Sequence, residues 1–170
     1  MDRIIEGAIR STQQEIEKFP NKILSESDFE RMLAKHLENT LSEENSEFSV
    51  HTQISYYEEA VSSNPTYRVD ILLMKEKEME ECKEKHKGFI YGGPSYVFEL
   101  KYLHENDSVN VVRLDMQKSK LLMDNSGVLY VIVLLENKNI YKEIKQMWED
   151  TCSELGDEKK DKLKYFILYK

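Results

Sequence analysis

A chain of 170 residues, 40% hydrophobic and 33% charged, has enough apolar side chains to close one core and too few to build two. Its formal net charge of −8 argues against indiscriminate nucleic-acid binding over the whole surface, although a polyanion would still feel a local basic groove. "MDRIIEG" lacks an apolar leader segment, the longest apolar run is Val128 to Leu135, and Cys82 and Cys152 are the only thiols. The expectation is an intracellular chain with reduced cysteines and no membrane span.

The first segment places Ile5, Ala8, Ile9, Thr12, Ile16 and Phe19 at helical spacing, and Pro20 closes it, so residues 1–24 are predicted to hold an N-terminal helix. A second helix opens at "SDFE". Ser27 and Glu30 have the spacing of a capping box, and Phe29, Leu33, Leu37 and Leu41 form the apolar stripe behind it. "SEFSVHTQISYYEE" and "TYRVDILLMK" follow as two strands, separated by a Ser/Asn/Pro turn signal. The dense charges of "KEKEMEECKEKH" make residues 75–92 a solvated insertion between core strands.

"YVFELKYL" alternates as a strand, and a helical pattern then runs from Val111 to Asp124. "VLYVIVLL" has no alternation, as expected of a strand buried on both faces. Ile140, Ile144, Met147, Trp148, Cys152 and Leu155 mark an amphipathic helix, and "LKYFILY" a last strand. The order is ααβββαβαβ, which predicts one α/β domain over residues 1–170 with a central mixed β-sheet flanked by helices.

Two strands carry charges that an apolar sheet resists. Alternation sets Asp70 on the face of Leu72 and Met74, opposite Val69, Ile71 and Leu73. Glu99 and Lys101 lie two apart and share a face with Val97 and Leu103. If the strands are neighbours, Asp70 and Glu99 converge, and a divalent cation would relieve their repulsion. Oxygen donors without a suitably spaced His or Cys suit Mg²⁺, or Mn²⁺ as its substitute, better than zinc. Lys101 would then stand beside the metal, able to orient a water or offset charge on a phosphate.

"VD" in one strand, "ELK" in the next and a Glu-bearing helix before both resemble the PD-(D/E)xK nuclease superfamily, whose fold is restriction-endonuclease-like. The resemblance covers roughly residues 25–135. It implies that Asp70 and Glu99 are metal ligands, with the Leu100 carbonyl as a further ligand, Lys101 as the motif lysine and Glu30 as an additional acid. Gln117, with Lys118, would face the reacting strand from the helix that follows. Val69 stands in place of the motif proline, and Leu121 occupies the position of the tyrosine in the Gln-x-x-x-Tyr signature of the RecB-like branch.

The activity implied is metal-dependent hydrolysis of phosphodiester bonds in DNA. RNA cleavage is one alternative, and a non-catalytic nucleic-acid- or protein-binding module on the same fold is another. A homodimer or larger assembly is compatible with either. His104 reads as a polar residue at a strand end, and His36, His51 and His86 have no zinc-like spacing.

Overall fold

The computed structural model describes residues 1–57, 67–75, 89–90, 95–104, 107–113, 127–155 and 160–170. Helix α1 (Asp2–Lys18) buries Ile5, Ala8, Ile9, Thr12 and Ile16, the stripe expected from spacing. It stops before Pro20, and Pro20–Lys22 form a 3-10 turn, so the predicted 1–24 segment is a helix only through Lys18. Helix α2 (Glu26–Glu43) buries Phe29, Leu33, Leu37 and Leu41 against the same core. Full burial of such a side chain contributes roughly 1.5–3 kcal/mol, which is what anchors α2 to the sheet. Glu15 of α1 also meets Nε2 of His36 on α2 at 2.9 Å, tying the helices together.

The strands are β1 (Phe48–Tyr57), β2 (Tyr67–Lys75), β3 (Phe89–Ile90), β4 (Tyr96–Leu103), β5 (Val128–Leu135) and β6 (Leu163–Tyr169), in the sheet order β3-β1-β2-β4-β5-β6. Strands β1, β2 and β4 run antiparallel in succession, whereas β4, β5 and β6 are parallel. The two-residue β3 lies parallel to the end of β1 and comes from the segment read as an insertion. A parallel pair needs a crossover. Helix α3 (Tyr141–Glu154) supplies it between β5 and β6, and between β4 and β5 the chain is helical over residues 110–113.

Helices α1 and α2 cover one face of the sheet and α3 covers the other, each over its own apolar cluster. Strand β5, parallel to neighbours on both sides, is buried from Leu129 to Leu135, as its unbroken apolar run requires. No described helix is long and apolar enough to cross a membrane.

The start of α2 differs from the expectation in a way that matters for the site. Ser25, not Ser27, is the N-cap: its Oγ accepts from the Asp28 amide at 3.2 Å. The Asp28 carboxylate accepts from the Leu24 amide at 3.1 Å and from Ser25 Oγ at 2.9 Å. Asp28 thus fills the role predicted for Glu30, and Glu30 turns toward the sheet, where it meets Gln53. Ser25→Ala is expected to cost about 1 kcal/mol in urea unfolding, and Ser27→Ala less than about 0.5 kcal/mol. Equal costs would show that the cap is misplaced.

Candidate functional site

Strands β2 and β4 pair at Leu73↔Tyr96, Leu72↔Val97 and Ile71↔Phe98, and their pairing ends there. Asp70 and Glu99 are the next residues on the two strands. Beyond this point the amides of β4 that face β2 need other acceptors. The carbonyls of Ser95 and Leu103 meet β5, at Val128 and Glu136. The even-numbered residues of β4 therefore present their backbone groups to β2. The Leu100 amide donates to Asp70 Oδ2 at 2.7 Å, and the Tyr102 amide donates to Glu26 Oε2 at 3.3 Å. Two carboxylates thus take the place of a strand. Leu100 directs its carbonyl to the same side as its amide, toward the opening where Asp70 sits.

Alternation along β2 breaks at Asp70. Val69 joins the cluster under α3 with Leu72 and Met74, whereas Ile71 and Leu73 join the cluster under α1 and α2. The expected face of Asp70 is therefore not the one it occupies: its carboxylate lines a cleft with residues of α2. The cause lies on the neighbouring strand. The β1–β2 ladder pairs Thr52 with Ile71 and Ile54 with Val69 but skips Gln53 and Asp70, and Gln53 has φ of 56°. This local distortion turns both side chains toward α2.

The cleft has a volume of about 580 Å³ and is lined by Glu26, Ser27, Glu30, Arg31, Gln53 and Asp70. Glu30 is only 7% exposed, and Gln53 Nε2 donates to its carboxylate. The same nitrogen approaches Asp70 Oδ1 at 3.4 Å. Glu26 receives the Lys101 ammonium at 3.3 Å and 3.4 Å on its two oxygens, with the side chains 40% and 24% exposed. Arg31 is paired with Asp28 at the rim.

Structure thus brings Asp70, Glu30 and, through Glu26, Lys101 to one cleft. Glu99 is half-buried on β4 and is not among the residues lining it. Gln117, Lys118 and Leu121 lie outside the described residues, as do Cys82 and His86. Among the described residues, no three His, Cys, Asp or Glu side chains are gathered into a ready-made metal cage. The donors on the cleft wall are nonetheless hard oxygens, which fit Mg²⁺ or Mn²⁺ and not a soft ion.

Gln53 gives no sequence signal, because a lone Gln in a strand is unremarkable and positive φ is not its habit. His104 stands at the end of β4 with Nδ1 3.0 Å from Glu136 Oε2. Glu136 also accepts from Tyr102 Oη and Lys170, bonds that together with His104 hold its pKa down at about 2. No family model matches the chain, and no curated protein or solved structure is significantly similar to it.

Burial raises the Asp70 pKa from its ordinary 3.8 to about 6. The Leu100 amide opposes that shift, Glu26 adds to it, Lys101 opposes it and Glu30 adds to it, in decreasing order. Between these values the folded chain keeps a proton that the unfolded chain has lost. Stability is therefore undiminished below about pH 3.8 and falls as pH rises through about 6. Asp70→Asn is expected to stabilise the metal-free protein at pH 7.5 by about 1–3 kcal/mol in urea unfolding. The gain should shrink toward pH 4.5, and a gain independent of pH would remove Asp70 as its source.

Proposed function

We propose that this chain is a metal-dependent nuclease that hydrolyses phosphodiester bonds in DNA on a restriction-endonuclease-like fold. The observation that carries the reading is the Asp70 carboxylate, seated where β2 and β4 part, against the Leu100 amide and beside a cleft reached by Lys101. The helix before the sheet and the order β1-β2-β4-β5, antiparallel twice and then parallel, support the fold assignment.

Asp70 and the Leu100 carbonyl would hold Mg²⁺ or Mn²⁺, with Glu30 assisting from α2. Glu99 shares its face of β4 with Val97 and Leu103 and would have to reach the ion from outside the cleft. The bound ion would lower the pKa of a coordinated water and shield the phosphate. Lys101 presents a positive charge 3.3 Å from Glu26, and exchanging that partner for a phosphate oxygen would place it on the charge that develops during attack. Glu26 keeps the amine at the cleft until then. Glu30, almost fully buried, supplies negative charge to the same wall without reaching solvent.

Acids dominate the cleft, and that favours the second reading, a non-catalytic binding module, over an enzyme that works without a cation. RNA in place of DNA would leave these roles unchanged. Cleavage of single-stranded, duplex and branched DNA, with RNA in parallel, separates these readings. Mg²⁺- or Mn²⁺-dependent products are expected from the wild type. Lys101→Ala, Asp70→Asn and Glu99→Gln should each lose about 100-fold or more in rate. Cleavage unchanged in all three would place the chemistry elsewhere, and a wild type without cleavage or Mn²⁺ binding would be the binding module.

A further inference from the structure

We propose that Gln53 is a positioning residue that holds Glu30 and Asp70 together at the cleft and turns its own side-chain carbonyl to a divalent cation when one binds. The inference rests on the metal-dependent reading above. Gln53 lies inside β1, with Thr52 and Ile54 paired to β2 on either side of it, yet its φ is 56°. That conformation is costly for a residue with a Cβ and nearly free for glycine. If the strand needed only the bend, Gly or Asn would supply it with less strain. The side chain is what Gly would lack.

Its amide faces two carboxylates, Glu30 Oε2 and Asp70 Oδ1. Only the NH₂ end can face them, since a carbonyl oxygen there would add to the repulsion. A neutral donor between two acids offsets their mutual repulsion and keeps both aimed at one volume. Rotation about the last side-chain torsion would exchange NH₂ for Oε1, a hard oxygen of the type these cations take. The nearly buried Glu30 makes the bridge more than a surface contact, because its carboxylate has little water to turn to.

Four proteins test this: wild type, Gln53→Gly, Gln53→Ala and Gln53→Glu, by Mn²⁺ calorimetry and by thermal melting with and without Mn²⁺. Gln53→Gly and Gln53→Ala should both bind Mn²⁺ about 10- to 100-fold more weakly than wild type. Without metal, Gln53→Gly should melt about 2–4 °C above Gln53→Ala, because glycine relieves the backbone. Gln53→Glu should melt below wild type without metal and gain more from Mn²⁺ than wild type does, a response that a purely structural residue would not give. Gln53→Gly binding Mn²⁺ as tightly as wild type, or more tightly, overturns the role and leaves the metal-dependent reading standing. A wild type that binds no Mn²⁺ brings down that reading and the role with it.

Discussion

Two backbone amides of β4, those of Leu100 and Tyr102, face the place that β2 has left, and their need for acceptors organises everything around the cleft. A buried amide without a partner costs about 1–3 kcal/mol, so a strand cannot simply end beside another one. Water could serve at an exposed edge. Here the first turn of α2 lies over the gap, and carboxylates serve instead. Asp70 comes from the departing strand itself, and Glu26 comes from the helix. Both acids are therefore held on their backbone side while part of each carboxylate remains turned to the cleft.

Placing α2 there has a cost that its sequence offsets. Glu26 and Glu30 are one turn apart on the same helical face, a like-charged pair that disfavours the helix by a few tenths of a kcal/mol. Their position in the first turns works the other way, because the positive end of the helix dipole favours acids. Lys101 neutralises one of them and the Gln53 amide satisfies the other. Asp28 completes the cap with Ser25, so neither glutamate is needed to close the helix end. A cap two residues earlier than the sequence suggests is thus what makes Glu30 available to the site.

Much of the fold was legible because apolar spacing reports burial directly. The stripes of α1 and α2, the two-sided burial of β5 and the longer strands of the sheet follow from where Ile, Leu, Val and Phe recur. Most of the helix expected over Val111 to Asp124 lies outside the described residues. Asp70 was legible for the opposite reason, as a charge in a place where charge is expensive. Its face was not, since strict alternation holds only while the ladder is regular. Gln53 breaks the ladder from the neighbouring strand, and no local pattern in β2 announces it. A capping box at Ser27 would have tied Glu30 to the helix end; with the cap at Ser25, both Glu26 and Glu30 reach the sheet. Phe89–Ile90 was hidden inside a charged segment, too short to show a period.

The contacts at the cleft differ in how readily they exchange. Asp70 is fixed by a charge-assisted bond of 2.7 Å to a backbone amide that cannot move without disturbing β4. Lys101 and Glu26 meet at 3.3 Å with both side chains partly in water, a pairing of the kind worth at most about 1 kcal/mol. A phosphodiester carries the same single charge as Glu26 but gains more as water attacks, so it would compete for the ammonium best in the transition state. Glu26 would then still have the Tyr102 amide. The wall of the cleft is thus rigid where an ion would need preorganised oxygens and exchangeable where a substrate would need a cation, a division of labour set by which groups the parting of β2 and β4 left without a strand.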